Sequence, residues 1–387
     1  MFNTDHLSVG VIAGSYEVPM DLVTLQSVAV VVGADQHVPV ARLVMTDAGG
    51  FFQNTVPLTD GLKMQILLGP SNSKAIAYNF RLFRPHTRVA QTGMRMQMDM
   101  YFDNPVYFGG TTTQALTGSS SDAIQTIAFS NGLDFEVDPT QDPQVWLPSN
   151  NRWCQFARDI AMAGWKSSNS LMQMVLTEQG LLRYKDIGSY TYGGQIPIFR
   201  IGTLETDGTY FPVQSWKRTS VSGFHNFRGA YHGAQQAQSY LEPNGIQGTH
   251  STVGVTRSGQ FLDMNSSVKD SLQGGLLYEW SEIDCGNTHP NYLQATYQNA
   301  RLHRTNAQRI SLLTISQTKV NVLDEVKVQV FTPSVAGEVP TEYQDVAGNY
   351  VVESKTLYGG MEGIYCERFE LVRNSHNLLT GQDEGGV

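Results

Sequence analysis

Strand-type alternation is clearest in three segments near the end of the chain: RISLLTIS at 309–316, NYVVESKTLY at 349–358 and IYCERFELV at 364–372. Apolar and polar residues alternate along them, so one side of each strand faces a core and the other a polar surface. The alternation shifts by one place at Leu312 and Leu313, which predicts a β-bulge in that strand. Gly359, Gly360 and Gly363 permit the positive φ of a tight hairpin between the last two segments. The pattern predicts an antiparallel sheet with two usable faces.

A valine-rich strand precedes this hairpin in SLLTISQTKVNVLDEVKVQV (311–330), where the acidic turn LDEVKV interrupts it. The strands YVVESKTLYGG (350–360) and YCERFELVRNSHN (365–377) follow. This order of strand types resembles the second tube-like domain of the baseplate hub proteins of contractile-tailed bacteriophages. That resemblance implies a structural protein of the phage tail and no catalytic residues.

A similar unit opens the chain, in VPVARLVMTDAGG (38–50) and LTDGLKMQILLG (58–69). A strand ending in an acidic turn, then Asp-Gly before a strand finishing in Gly, is similar to the start of hub proteins. The same unit is shared by tail-tube proteins and the spike hubs of type VI secretion systems. The resemblance therefore implies a tube-like fold that occurs twice.

Methionines at 94, 96, 98 and 100 alternate with Arg95, Gln97 and Asp99. This period of two predicts a packed strand, and an adaptable binding face is the alternative.

Length and charge limit the classes of function. The 387 residues exceed one ordinary core and predict two or three domains. Only 16% of residues are charged, which is typical of β-rich assemblies with uncharged polar surfaces and also of a loop-rich β-protein. The net charge of −9 and the absence of a Lys/Arg cluster in the sequence argue against a phosphate-binding surface.

The cysteines and the hydropathy of the chain indicate in which cellular compartment the protein is expected. Cys154, Cys285 and Cys366 are far apart and form no Cys-x-x-Cys pair, so we expect neither a disulfide framework nor a four-cysteine zinc site. The first residues lack a basic region followed by an apolar run, so no signal peptide is expected. No apolar run reaches the roughly 18 residues of a membrane span.

The middle of the chain changes period from strand to helix. Ser119 to Asp122 offer caps for a helix that buries Ile124 and Ile127, and a second helix follows Asn150 and ends near Gly164. Residues 171–176 and 181–184 then predict a hairpin. Together they predict a small α+β domain.

Candidate chemical sites are weak. Cys285, His289 and His303 lack a fourth zinc ligand. His225 and His232 are expected to be surface or packing residues. Asp138 and Asp142 lack the glycine and terminal glutamate of a calcium loop and predict a turn. We expect Glu279, Glu282 and Asp284 to be solvated acidic side chains.

We therefore expect a mainly β fold with α+β insertions: two tail-tube-like β-barrel domains plus a small α+β domain. The predicted boundaries are 1–116 for the first tube-like domain, 117–195 for the α+β domain, 196–235 with 305–376 for the second tube-like domain, and 236–304 for an insertion with a helix at about 290–303. Residues 224–275 fit two interpretations equally well: a flexible surface loop, or a region that contacts a partner. The resemblance implies that two strands face other subunits or a channel. The residues that mark these strands are Val326, Val328, Val330, Tyr365, Glu367 and Phe369.

The resemblance implies a non-enzymatic homotrimeric hub that adapts a six-fold tail tube to a trimeric spike and lines a DNA channel. Its implied partners are itself, the tube or tube-initiator protein, the central spike, and the tape measure and baseplate wedge proteins. Such a hub would contact DNA only while the DNA passes through the channel. It would need no cofactor or metal and would not insert into membranes. It is assembled in the host cytoplasm and resides in the virion baseplate. A carbohydrate-binding tail fibre or lectin-like module is the alternative, and a tail-tip hydrolase is the third.

Overall fold

The computed structural model describes residues 2–3, 7–19, 23–34, 36–90, 93–148, 152–167, 170–189, 196–202, 209–221, 238–242, 245–249, 308–331, 346–360 and 362–373. Strands dominate this part of the chain. Its first elements are β1 (Phe2–Asn3), β2 (Ser8–Ala13), β3 (Tyr16–Glu17), β4 (Val23–Gly33), β5 (Val40–Asp47), α1 (Phe51–Asn54), β6 (Lys63–Gly69), β7 (Ile76–Ala90), β8 (Gly93–Phe102) and α2 (Pro105–Gly109).

The first β unit is an antiparallel array in the order β2, β6, β7, β8, β5, β4. Its core contains the methionines of β8: Met96, Met98 and Met100 are at most 1% exposed. Arg95 points to the opposite, exposed face. The packed strand predicted for the methionine stripe is confirmed.

The middle unit contains both predicted helices and the predicted hairpin. Its elements are β9 (Leu116–Gly118), α3 (Ser120–Ser130), β10 (Asp134–Val137), β11 (Gln144–Trp146), α4 (Trp153–Ala163), β12 (Met172–Leu176) and β13 (Leu181–Asp186). β12 and β13 pair antiparallel, and β10 adds to β13 in parallel. The sequence analysis did not assign β10, although its four residues alternate between polar and apolar; the strand is short, and its first three side chains are exposed. The core of this unit also takes in Val38 and Tyr107 from the preceding part of the chain.

A capping box starts α3. The Ser119 side chain accepts a hydrogen bond from the amide of Asp122, whose carboxylate accepts one from the amide of Ser119. Two amides that the helix itself leaves without acceptors are satisfied in this way. The cap therefore fixes where the helix begins.

Replacing Ser119 by alanine is expected to lower the free energy of unfolding by about 1 kcal/mol, because it removes the cap acceptor. Urea unfolding followed by tryptophan fluorescence measures the change. Ser130→Ala, at the exposed last residue of the same helix, is the control and should change stability by less than about 0.5 kcal/mol. Equal losses in the two variants would contradict a capping role.

The second β unit follows with β14 (Ile198–Ile201), β15 (Phe211–Val213), β16 (Ser215–Val221), β17 (Gln238–Glu242), β18 (Gly245–Thr249), β19 (Gln308–Thr314), β20 (Glu325–Val330), β21 (Gly348–Gly360) and β22 (Tyr365–Arg373). β17 and β18 form a hairpin of their own. The predicted pair of β21 and β22 is confirmed. The bulge predicted in β19 was misplaced: β19 pairs with β22 without a shift, and the irregularity lies in its other neighbour, β16, between Arg218 and Ser220.

One continuous sheet joins the two units, because residues 27–33 of β4 pair antiparallel with residues 354–360 of β21. The cores interlock at this junction. Leu357 and Tyr365 from the second unit lie in the first core, and Val32 from the first unit lies in the second core. The predicted fold class, mainly β with a small α+β part, is confirmed, and the two β units share their central strands.

The same order of strand pairing occurs in both units. The first has β2, β6, β7, β8, β5, β4 and the second has β14, β20, β21, β22, β19, β16. They differ in one pair, since β14 runs parallel to β20 whereas β2 runs antiparallel to β6. The repeat predicted from the two ends of the chain is therefore present in the topology.

A bulge marks the same place in each repeat. The register of β7 shifts between Leu82 and Arg84, and that of β21 shifts between Val352 and Ser354. In both strands seven residues follow the bulge, 84–90 in β7 and 354–360 in β21. These two segments are therefore equivalent in the repeat.

Several predictions concern residues outside the described ranges. The helix at about 290–303 lies there, as does most of the insertion at 236–304. The domain boundaries stay predictions. Among the described residues, no helix combines the length and the apolar character needed to cross a bilayer.

Candidate functional site

An exposed surface follows the line where the two β units meet. Ten side chains along this line are partly or fully exposed on the same side of the sheet. We call it the junction face. It consists of Ser27, Ala29 and Val31 of β4, Arg42 of β5, Asp99 of β8, Ser354, Thr356 and Tyr358 of β21, and Arg368 and Glu370 of β22.

The register brings these residues into rows that cross the junction. Asp99, Arg42, Ala29 and Tyr358 lie opposite one another on four successive strands. Val31, Thr356 and Arg368 form the next row. The central strands β4 and β21 therefore carry only uncharged side chains on this face, and the charged side chains lie on the strands to either side.

Each repeat contributes one ion pair that neutralises its charges on the junction face. Arg42 Nε lies 2.7 Å from Asp99 Oδ1, and Arg368 Nη2 lies 2.8 Å from Glu370 Oε1. Arg368 Nε also donates to Ser311 Oγ at 2.8 Å. The arginine side chains are more than half exposed, so solvent screens these pairs and they add little stability. Their consequence is a surface that is polar and close to neutral.

The six residues expected to face a subunit or a channel lie on β20 and β22, with their side chains turned inward. Val326, Val328 and Phe369 are fully buried, Tyr365 and Glu367 are 1% exposed, and Val330 is partly buried against the second core. The opposite face of these strands carries Lys327, Gln329, Arg368 and Glu370, which are partly or fully exposed. A contact role for the two strands stays a prediction, and on this geometry it falls to those opposite residues.

A buried charge cluster lies where the middle unit meets the sheet. Lys355 Nζ lies 3.6 Å from Glu178 of the middle unit and 3.9 Å from Glu367 of β22, and donates to the carbonyl of Val320 at 3.0 Å. Tyr365 Oη and Thr318 Oγ1 each donate to Glu367 at 2.5 Å. The three charged side chains are at most 5% exposed. The cluster therefore ties the middle unit to the sheet.

Two carboxylates and one ammonium give this cluster one excess negative charge. Burial raises the pKa of the Glu367 carboxyl, against the opposing influence of Lys355 and of the hydrogen bonds from Thr318 and Tyr365. Burial, together with the carboxylates of Glu178 and Glu367, also raises the pKa of the Tyr78 hydroxyl. If Glu367 carried a proton, the positive charge of Lys355 would face only the negative charge of Glu178, and the cluster would be neutral.

A second polar contact joins the middle unit to the acidic turn before β20. Arg183 of β13 lies 2.8 Å from Glu136 and 2.8 Å from Asp324, and donates to the carbonyl of Val322 at 2.6 Å. Between the last two residues, buried Leu323 has φ 73, which is rare for a residue with a side chain. Arg183 therefore supports a strained turn from both sides.

The fold assembles a basic group that the sequence analysis did not expect. Arg84, Arg88 and Arg95 are exposed on the side of the sheet that carries the junction face. Arg88 and Arg95 lie directly opposite each other on β7 and β8. Arg84 and Arg88 lie close together in the sequence, beside Arg81 and His86, and this density of basic residues was the available signal. Arg95 joins the group only through the pairing of β7 with β8.

Other candidate sites resolve into structural roles or lie outside the described ranges. Asp142 accepts from the amides of Ser120 at 2.9 Å and Trp165 at 2.8 Å, and Asp138 binds Lys185 at 3.0 Å. Among the described residues, no three His, Cys, Asp or Glu side chains are grouped so as to hold a metal ion. The candidate residues that lie outside the described ranges are Cys285, His289, His303, His225, His232, Glu279, Glu282 and Asp284.

Comparison with solved structures finds the same fold in phage tail proteins. The 43 kDa tail protein of prophage MuSo2 from Shewanella oneidensis superposes with a TM-score of 0.58 at 11% identity, covering 95% of this chain and 98% of the other. The tail protein from Neisseria meningitidis MC58 superposes with a TM-score of 0.56 at 8% identity, covering 95% and 96%. No protein-family model and no curated protein sequence matches the chain. The likeness confirms the expected resemblance to phage tail proteins at the level of the fold.

Proposed function

We propose that this protein is a structural, non-enzymatic baseplate hub of a contractile phage tail, and that three copies form a ring between the six-fold tail tube and the trimeric central spike. The observation that carries the proposal is the repeated order of strand pairing within one chain. Three chains with two similar units each present six similar units, so a three-fold ring matches a six-fold tube on one side and a three-fold spike on the other.

The junction face supports the second part of the proposal, in which it lines the DNA channel. Its two arginines are each paired with a carboxylate, and the side chains at its centre are uncharged. A surface that attracted phosphate along its whole length would hold DNA rather than let it pass. On this proposal the hub resides in the virion tail after assembly in the host cytoplasm, and its neighbours are the tube, the spike, and the tape measure and wedge proteins.

Light scattering of the purified full-length protein tests the proposal. The expected mass is three times the 42.8 kDa of one chain, and electron micrographs of particles viewed end-on should show a ring of six similar densities around a central opening. A protein that remains monomeric at every concentration measured, and that binds a sugar on a glycan array, would replace the hub with the carbohydrate-binding alternative.

A further inference from the structure

The repeat indicates where one copy of the chain would meet the next. Within one chain the units meet where β4, the last strand of the first repeat, pairs with the segment after the bulge in β21. The equivalent of β4 in the second repeat is β16, and the equivalent of residues 354–360 is residues 84–90 of β7. A ring that repeats the internal junction between copies must bring these two segments together.

Both segments lie at the edge of the described sheet. β6 pairs with β7 only as far as Arg81, so within the described residues the segment 84–90 pairs with β8 alone. β16 ends its branch of the described sheet and pairs with β19. The lengths also agree, since β16 has seven residues, as does segment 84–90. Edge strands of this kind are templates for pairing with another chain.

We propose that β16 of one copy pairs antiparallel with residues 84–90 of β7 in the next copy, which repeats the β4–β21 junction between copies. This inference rests on the proposed trimeric hub and names its subunit contact. The contact is head-to-tail, and three such contacts close a ring. The partner is a second copy of this chain, because the proposed contact repeats, between copies, the strand pairing that joins the two units within one chain.

The equivalence also predicts the register. Residues 27 and 30 of β4 lie opposite 360 and 357 of β21, so residues 215 and 218, in the part of β16 before its bulge, should lie opposite 90 and 87 of the next copy. Lys217 then lies opposite Arg88, on the same face of the sheet. Two like charges directly opposite each other weaken a strand pair. Pro85 has no amide, so this ladder has one donor fewer than the internal one.

Cysteine cross-linking tests the contact directly. The full-length variant with Lys217→Cys and Arg88→Cys places two thiols on directly opposed residues, whose Cα separation of about 4.5–5.5 Å permits a disulfide. Mild oxidation should give covalent dimers and trimers on a denaturing gel. Each single variant, and the pair Lys319→Cys with Arg88→Cys, should remain single chains, since Lys319 is exposed elsewhere.

A charge-swap cycle tests the same contact without a cross-link. Arg88→Glu or Lys217→Glu alone converts the like-charged pair into an opposite-charged one, and each should tighten the trimer by about two- to fivefold per junction. The double variant restores two like charges and should return to the wild-type dissociation constant. Lys319→Glu carries the same change of net charge and should have no effect.

The outcomes separate this inference from the proposed function. A wild-type trimer that forms no cross-link in the double-cysteine variant, or in which the two glutamate variants act additively, overturns the strand contact and leaves the hub in place. A wild-type chain that is monomeric at every concentration measured overturns both.

Discussion

Lys355→Ala is expected to lower the free energy of unfolding by about 3–5 kcal/mol, the largest loss predicted for a single substitution in this chain. Lys355 is 5% exposed and lies between the buried carboxylates of Glu178 and Glu367. Its removal leaves both carboxylates without their cation, and they are only 4% and 1% exposed. Urea unfolding at one fixed protein concentration measures the loss, because the proposed trimer would make stability concentration-dependent.

Two variants separate charge from volume as the cause. Lys355→Met keeps most of the side-chain volume and should lose nearly as much stability as Lys355→Ala. Combining it with Glu178→Gln and Glu367→Gln removes all three charges and should recover most of the loss, because a buried ion cluster is often replaceable by neutral groups. A Lys355→Met variant as stable as the wild type would contradict the electrostatic account.

The same cluster predicts a pH dependence. Burial raises the folded-state pKa of Glu367 above its unfolded value of about 4.3, so the folded protein holds a proton that the unfolded chain has released. The stability that this proton contributes is fully present below pH of about 4.3 and is lost as the pH rises through the folded pKa. Glu367→Gln does not titrate. The stability of the wild type relative to Glu367→Gln should therefore fall as the pH rises, and a difference that grows with pH would contradict the shift.

Arg183→Ala should lower the free energy of unfolding by about 2–3 kcal/mol. The substitution removes the ion pairs with Glu136 and Asp324 and the donor to the carbonyl of Val322. The loss is smaller than for Lys355 because both carboxylates are partly exposed and gain water when the guanidinium leaves. The strained turn at Leu323 also loses the side chain that holds it from both sides.

Urea unfolding of Arg183→Ala and Arg183→Lys measures this effect. Lysine cannot reproduce the fork that binds two carboxylates and a carbonyl, so Arg183→Lys should recover only part of the loss. Arg309→Ala is the matched control, since Arg309 pairs with Glu353 at 2.5 Å where both side chains are more than a quarter exposed. It should lose less than about 1 kcal/mol. Equal losses for Arg183→Ala and Arg309→Ala would show that the turn does not depend on Arg183.

Local signals in the sequence were sufficient for α3 and α4 and for the strands with clear alternation. The caps before α3 and the spacing of Phe156 and Ile160 in α4 act within a few residues, and so does the alternation in β8 and β22. The repeat was expected from the resemblance of two segments of the chain, one early and one late, to hub proteins. The resemblance to tail proteins rested on these local patterns.

Long-range features were not predictable from the chain alone. Alternation assigns Glu367 and Phe369 to the same side of β22 but does not say which side is the core, so Glu367 was expected at a contact surface and lies buried beside Lys355. The ion pair of Arg42 and Asp99 joins residues 57 apart. The basic group of Arg84, Arg88 and Arg95 exists only after β7 and β8 pair.

The shared strand β21 has a consequence for the order of events during synthesis. Its residue Leu357 belongs to the first core and Val352 to the second, so the hydrophobic interior of the opening third of the chain is incomplete without a segment translated near the end. We therefore expect the first unit to complete its hydrophobic interior only after β21 has emerged from the ribosome.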